Sequence, residues 1–519
     1  MAEPADIYHI NTIEAVLACG AAASPAIGAA IEPDGSARPP LAYAGLRDLA
    51  AATVKSLNAM GIGRGDRVAL VIPNGPEAAS TFVAVACAAT TAPLNPAYRR
   101  PEFEFYLDDL GAKALLIKEG FDSPARAVAA ERNIPIIEVV PGKEAGSFTL
   151  VPEKPLAGTP AQGGMAAPDD VALVLHTSGT TARPKIVPLS HRNVTASALH
   201  ISRQLALTPE DVCLNIMPLF HIHGLMAATL SSLRAGASVV CSPGFNAFRF
   251  FAWYGAARPT WYTAVPTMHQ AILPLAPRNK EVIAKGRLRF IRSSSSSMPA
   301  QVMAQLESIF GVPLVEAYGM TEAAHQMASN PLPPGKRFAG SVGRAAGPEI
   351  AIMDGEGNLL PPDTLGEVVI RGPDVTVGYA NNPEANAKAF TNGWFRTGDQ
   401  GSLDRDGYLR LTGRLKEIIN RGGEKISPLE VDAVLMDHPA VVQVVTFAMP
   451  HDKLGEEVAA AVVLREGQTL EEAVLRDFAA ERLAPFKVPR RILFMPEIPK
   501  GATGKLQRIG LAAKLGLTA

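Results

Sequence analysis

An α/β fold, with parallel sheets covered by helices and a small α+β domain at the C-terminal end, is predicted by three features of the sequence. From Gly65 onward, apolar runs alternate with longer helical patterns, as in "GDRVALVIPNGPEAASTFVAVACAA" and "GAKALLIKEG". Buried strands that alternate with helices pack as parallel sheets with helices on both faces. Length is the second feature: 519 residues exceed one ordinary core, and at roughly 100 to 200 residues per domain the chain divides into two to four compact units. The third is a change of texture after "WFRTGDQGSLDRDGYLRLTGRLKE", where polar turns and short strands give way to a compact closing segment.

Taken in order, the stretch "AGTPAQGGMAAPDD", residues 157–170, reads as a flexible connection ahead of the next strand. The apolar run "VALVLH" ends at His176 and leads into a hydroxyl-rich loop. Strand-like "RLRFIR" precedes five consecutive serines, residues 293–297, and a helix beginning near Pro299. A further strand, residues 312–316, runs into Tyr318. In the closing segment Ser427 caps a helix, Pro428 suits its first position, and Glu430 sits where a capping box wants it. Thr469 and Glu472 repeat that pattern ahead of "LEEAVLRDFAAERL". With strand-like "AVVQVVTFAM", "EVAAAVVLR" and "RRILFMPE", these helices make a small domain over residues 414–519, following a large one over residues 1–413.

Composition narrows the classes of function. With 47% hydrophobic and 19% charged residues the chain reads as globular and soluble. Its 49 basic and 50 acidic side chains nearly cancel, which leaves no global field for nucleic acid or anionic lipid, so an anionic ligand must be held by local groups. Cys19, Cys87, Cys213 and Cys241 have no metal-like spacing and read as reduced thiols. The N-terminus lacks a signal-peptide pattern, the C-terminus "LGLTA" is no targeting address, and "STFVAVACAATTAPL" is too short to span a bilayer. The cytoplasm is therefore the expected compartment, and oligomeric state stays open.

Four stretches carry residues suited to chemistry on phosphates. In "VALVLHTSGTTARPKIVPLSH" a strand leads into Thr177, Ser178, Gly179, Thr180 and Thr181, then Pro184 and Lys185. Glycine lets backbone approach closely, hydroxyls and N–H groups coordinate phosphate oxygens, and lysine neutralises charge. A polar turn with a solvated lysine is the plain alternative. In "VPLVEAYGMTEAAH", Tyr318 could stack on a base while Thr321 and Glu322 hold phosphate and Mg²⁺, or the same residues could simply cap a helix. In "WFRTGD", Asp399 could accept hydrogen bonds from a ribose or could be a turn residue. In "PKGATGKLQR", glycines flank Lys505, for which a solvated tail is the ordinary explanation.

In this order the four stretches resemble the adenylate-forming enzymes, a superfamily of acyl-CoA synthetases, luciferases and peptide-synthetase adenylation domains, over residues 40–510. The resemblance implies a large N-terminal domain, built of two parallel αβαβα-type sheets and a distorted β-barrel subdomain, and a mobile C-terminal domain. It also implies an AMP-forming acid–CoA ligase that uses ATP, Mg²⁺ and CoA on a small-molecule carboxylic acid. By the same resemblance, Thr177, Ser178, Gly179, Thr180, Thr181 and Lys185 hold the β- and γ-phosphates. Tyr318 stacks on adenine, Thr321 meets the α-phosphate, Glu322 binds Mg²⁺, and Asp399 with Arg414 binds ribose. Lys416 is the hinge, Gly422 and Gly423 line the pantetheine channel, and Lys505 reaches the reacting carboxylate and α-phosphate. Ala182 and Ile186 depart from the family's pattern, which has glycines there, and the added side chains restrict the loop.

The acid is addressed by two further stretches. "PLFHIHG" matches a loop in which His221 gates the acyl pocket or the thiol entrance; the histidines could also be packed in the core, or His221 and His223 on one face of a strand could bind metal, although no third ligand is spaced nearby. The serine run aligns with a stretch usually rich in glycine, alanine and proline, so Ser294, Ser295 and Ser296 would narrow the acyl pocket and offer donors to a small polar acid. Facing solvent as a serine-rich turn is the other reading. The combination of "EAYGMTEAAHQMASNPLPPGKRFAGSVGRAAGPEIAI" with the serine run looks most like the oxalate–CoA ligase branch, in which His325 and the serines would grip the second carboxylate. Arg292 is set aside, because an arginine there is common in the family. Malonate, another short-chain, aryl or fatty acid, a stand-alone adenylation enzyme serving a carrier protein, and a nucleotide-binding regulator without catalysis are the alternatives.

Overall fold

The computed structural model describes residues 5–31, 35–177, 184–499 and 506–517. The apolar run "RVALV" forms the strand Arg67–Val71, buried along almost its whole length, as a parallel strand covered on both faces must be. It lies inside a seven-stranded sheet in the order Phe148–Pro152, Ile136–Pro141, Ala114–Lys118, Arg67–Val71, Thr90–Pro93, Val171–Thr177, Lys185–Ser190. The middle of this sheet is parallel and its two edge pairs are antiparallel.

A second, nine-stranded sheet follows the same plan. Its parallel centre runs from Leu314–Met320 through Phe290–Ser294, Trp261–Ala264, Val212–Asn215 and Ser238–Cys241 to Pro25–Ala29. His325–Ser329 and Arg344–Ala345 extend one edge antiparallel, and Leu41–Ala42 the other. The helix Pro76–Ala86 is buried at every position and packs against both sheets; a helix apolar or small on all sides belongs between layers. It supplies the first part of the apolar stretch expected to be too short for a bilayer, whose remainder includes the strand Thr90–Pro93, and among the described residues no helix is long and apolar enough to cross one.

The third sheet is antiparallel: Glu349–Met353, Gly366–Arg371 and Trp394–Leu403, with Phe390–Thr391 and Leu409–Arg414 both paired to the last. The fourth begins at Ile419 and joins Ile419–Arg421, Glu424–Ile426, Val441–His451, Gly455–Leu464 and Arg491–Phe494. Helices Pro428–Met436 and Glu472–Ala480 contribute Val431, Leu435, Leu475 and Ala479 to an apolar cluster of this sheet's own.

Three local expectations are corrected. Residues 157–170 are not slack: the Arg64 N–H donates to the Gln162 carbonyl at 2.8 Å, the Gly164 N–H to Asn58 at 2.6 Å and the Ala166 N–H to the Cys87 carbonyl at 2.8 Å, so the connection is tied down along its length. Ser427 caps its helix by accepting from the Glu430 N–H at 3.2 Å, but the Glu430 carboxylate pairs with Lys487 at 2.7 Å instead of closing a capping box. The later helix starts at Glu472 with Glu471 as its N-cap and no side-chain cap. Thr469 lies outside it, and the Glu472 carboxylate is occupied by Arg476 at 2.6 Å and the Ile492 N–H at 3.0 Å.

Candidate active site

The C-terminal ends of the parallel strands Phe290–Ser294 and Leu314–Met320 open into the crevice where α/β sheets bind ligands. At the tip of the neighbouring sheet, Val171–Thr177 and Lys185–Ser190 pair antiparallel, with Thr177 opposite Lys185. Ser178, Gly179, Thr180, Thr181 and Ala182 lie outside the described residues. Ile186, the other departure from the family's pattern, turns its side chain into an apolar cluster with Leu94 and Val174.

Tyr318, near the end of the strand Leu314–Met320, donates its hydroxyl to the Asp399 carboxylate. Asp399 pairs across the third sheet with Arg414, whose Nε lies 3.4 Å from Asp399 Oδ1. The expected base-stacking and ribose-binding residues are therefore joined by one hydrogen bond and one ion pair. Burial raises the Tyr318 hydroxyl well above its usual range, helped by the Asp399 charge, so it stays a donor.

Thr321 opens the short 3₁₀ turn Thr321–Ala323, which presents Glu322 at 6% exposure. Burial pushes the Glu322 carboxyl up, opposed by backbone and Tyr379 hydrogen bonds and by Arg414 and Lys185. The Tyr379 hydroxyl donates to Glu322 Oε1 at 2.9 Å, and Lys185 Nζ lies 4.3 Å from the centroid of the same Tyr379 ring. Mg²⁺ takes one or two carboxylates and completes its shell with waters and substrate phosphates. One enclosed carboxylate beside a phosphate-type lysine fits that donor set. No group of three or more His, Cys, Asp or Glu side chains among the described residues forms a cage for a metal.

On the acid side, the π-helix His223–Leu230 turns inward from Ile222; such bulged helices re-aim side chains at functional sites. His221 and His223 are thus on a helical turn rather than a strand, and His221 Nδ1 accepts from the His223 N–H at 3.3 Å. The fully buried His223 ring meets Ser295 Oγ at 3.1 Å through Nδ1 and Thr263 Oγ1 at 2.6 Å through Nε2, and it stacks on His325 at 4.9 Å between centroids. Arg292, with 0% exposure, reaches Gln326 Oε1 at 3.1 Å with one Nη and both Thr263 Oγ1 and His223 Nε2 at 3.4 Å with the other. Its Nε is buried with no hydrogen-bond partner. Among the described residues no carboxylate pairs with it, and burial lowers it to about 9. The backbone is strained here: Ser295, Ala324 and His325 have φ of 75°, 46° and 104°, conformations that non-glycine residues adopt at a cost.

The serines separate by role. Ser295 alone of the three expected pocket serines touches the histidine cluster; Ser294 Oγ donates to the Ala317 carbonyl at 2.8 Å within the sheet, and exposed Ser296 bonds the Ser295 carbonyl at 2.8 Å. Sequence reasoning missed Tyr379, Thr263 and Gln326, which carry no local signature, and set aside Arg292, which stands in the buried strand Phe290–Ser294.

Lys416 lies exposed between the third and fourth sheets, and Gly422 and Gly423 turn the following hairpin with φ of 59° and 101°. Lys505 lies outside the described residues. Just beyond it, Arg508 binds Asp432 at 2.5 Å and the Thr446 carbonyl at 2.8 Å, with Glu417 at 3.5 Å.

The AMP-binding enzyme family model matches residues 21–380, and the AMP-binding enzyme C-terminal domain model matches residues 430–505. Over 474 residues the chain is 47% identical to the oxalate–CoA ligase of Arabidopsis thaliana, with 90% of this chain and 92% of that one covered. It is 42% identical to the oxalate–CoA ligase of Saccharomyces cerevisiae, with 86% of each chain covered. Among solved structures, ATP-bound MatB from Rhodopseudomonas palustris is similar at 29% identity and a TM-score of 0.84, covering 96% of this chain and 97% of that one.

Proposed function

The chain belongs to the AMP-binding enzyme family and is an AMP-forming acid–CoA ligase that uses ATP, Mg²⁺ and CoA; from that premise we propose that the acid it activates is oxalate. The observation that carries this reading is Arg292, a fully buried guanidinium with no carboxylate partner among the described residues and an unpartnered Nε. A buried cation without a counter-ion is costly, and an anionic group of the substrate beside it removes that cost. His223 lies 3.4 Å from one Nη of the same guanidinium, with Ser295 hydrogen-bonded to its Nδ1 and His325 stacked on its ring, so polar groups cluster on this side of Arg292. Oxalate carries a second carboxylate one bond from the first, short enough to meet these groups while the first faces the nucleotide. A fatty or aryl tail would leave them desolvated and unpaired. The two relatives named oxalate–CoA ligases support the same acid.

In this reading Thr177 and Lys185, with Ser178, Gly179, Thr180 and Thr181, receive the β- and γ-phosphates, Tyr318 stacks on adenine, and Asp399 with Arg414 holds the ribose. Thr321 meets the α-phosphate, and Glu322 holds Mg²⁺, which when bound offsets the phosphate charge. One oxalate oxygen attacks the α-phosphorus; the new P–O bond forms as the bond to pyrophosphate breaks, leaving oxalyl adenylate. Lys505 lowers the repulsion between the two anions in that step. His221, at the rim of the acid site, admits the CoA thiol, whose sulfur attacks the activated carbonyl, losing its proton as AMP departs. Lys416 provides the hinge, and Gly422 and Gly423 line the path of the pantetheine.

Pyrophosphate exchange with oxalate, malonate, acetate and octanoate tests the acid. Oxalate is expected to be fastest, with malonate behind it by about tenfold or more, since one methylene is worth roughly 1–3 kcal/mol in a fitted pocket. Faster exchange with acetate or octanoate would overturn the proposal. Arg292→Met, close in volume but uncharged, is expected to raise the KM for oxalate about thirtyfold or more, matching a loss of about 2 kcal/mol or more for a buried charged partner, and to leave the KM for ATP nearly unchanged.

A further inference from the structure

The geometry points to Tyr379 as a positioning residue that keeps Lys185 and Glu322 apart and open to MgATP. The inference rests on the roles given above to those two side chains and adds a third residue to them. Lys185 and Glu322 are opposite charges in one partly enclosed cleft, and without a spacer they would satisfy each other. Paired in that way, the lysine is lost to the phosphates and the carboxylate to the metal. Tyr379 divides them with two different faces of one side chain: its ring takes the ammonium at 4.3 Å, and its hydroxyl takes Glu322 Oε1 at 2.9 Å. The described contacts contain no direct ion pair between Lys185 and Glu322.

The backbone holds Tyr379 in this position from both sides. The Tyr379 N–H donates to Asn386 Oδ1 at 2.7 Å while Asn386 Nδ2 donates to the Tyr379 carbonyl at 2.9 Å. Residues 373–380 form a strap that ties the two elements bearing the charges. The Thr376 N–H donates to the Glu322 carbonyl at 2.7 Å, its Oγ1 to the Pro188 carbonyl at 2.7 Å, and the Ala380 N–H to the Ile186 carbonyl at 3.0 Å. Asn193 adds hydrogen bonds to the Pro373 and Val375 carbonyls at 2.7 and 3.1 Å. So many anchors on a segment without regular structure are intelligible if the segment delivers one side chain accurately.

The test is equilibrium binding of a fluorescent ATP analogue to the full chain, in EDTA and in excess Mg²⁺, for the wild type, Tyr379→Phe, Tyr379→Leu, Glu322→Gln and the Tyr379→Phe/Glu322→Gln pair. Wild type is expected to gain affinity with Mg²⁺. Tyr379→Phe keeps the ring and loses the hydrogen bond, so its metal-linked gain should shrink by about tenfold, the value of one hydrogen bond to a charged group, with little change in EDTA. Tyr379→Leu should also weaken binding in EDTA, because Lys185 loses its seat. In the Glu322→Gln background, Tyr379→Phe should be silent, an outcome that a general packing defect would not produce. An unchanged metal-linked gain in Tyr379→Phe, or an equal loss with and without the Glu322 carboxylate, would overturn the proposal. Absence of any metal-linked gain in the wild type would instead refute the roles assigned to Glu322 and Lys185.

Discussion

Glu316 stands two residues before Tyr318, fully enclosed, with Oε1 accepting from the Met298 N–H at 3.0 Å and Oε2 without a partner. Burial pushes its carboxyl from an ordinary 4.5 up to about 7. Between those two values the folded chain holds a proton that the unfolded chain releases, so its contribution to stability falls as pH rises through that window. Glu316→Gln keeps an acceptor for Met298 and abolishes the titration. The variant should match the wild type near pH 5 and exceed it at pH 8 by up to about 3 kcal/mol. Thermal unfolding at the two pH values checks this; equal shifts at both would show that the Glu316 charge is not what costs stability. Arg292 is the opposite case at the same scale. Nothing in the arginine- and serine-rich run around it marked its burial, and the missing counter-ion became visible only when Thr263, His223 and Gln326 converged on it from three other elements.

The strand pair that carries both Tyr318 and His325 depends on one residue without a side chain. The register slips between Tyr318 and Gly319, and a Cβ on Gly319 would lie 1.5 Å from the His325 carbonyl oxygen. Backbone cannot step aside as a side chain can, so Gly319→Ala must open the bulge and displace His325. A destabilisation of about 2–4 kcal/mol is expected, read as a lowered unfolding temperature together with a raised KM for the acid; a variant matching the wild type in both would contradict the close approach. Elements of this kind were legible wherever the chain was continuously apolar, as in "VALVLH" and "RVALV", because burial on both faces leaves its mark on every residue. The strap over residues 373–380 was not legible. It has no periodicity, and Tyr379 acquires meaning only beside Glu322, from which 57 positions separate it in sequence. The second capping pattern misled for a related reason: Thr469 and Glu472 have the right spacing, but tertiary partners recruit the Glu472 carboxylate.

At the scale of the whole molecule, the groups proposed to hold nucleotide and acid come from the first three sheets, whereas Lys505 follows the fourth sheet's last strand, Arg491–Phe494, in sequence. Its neighbour Arg508 is fastened to Asp432 and the Thr446 carbonyl, both in the fourth sheet's layer, and lies 3.5 Å from Glu417, next to the exposed Lys416. We propose that a rotation at Lys416 moves the segment anchored by Arg508 and the Gly422–Gly423 turn as one body, so that Lys505 withdraws as that turn advances. On this reading the two half-reactions need different faces of one domain, and they can be separated by mutation. Lys505→Ala should lower adenylate formation from ATP and oxalate by about a thousandfold, as loss of a charge aimed at the developing transition state does. Thioester formation from preformed oxalyl adenylate and CoA, in which Lys505 has been withdrawn, should keep most of its rate. Single-turnover measurement of each half-reaction distinguishes the outcomes. An equal loss in both would mean that Lys505 serves one fixed arrangement of the two domains, and the rotation at Lys416 would then have no part in the chemistry.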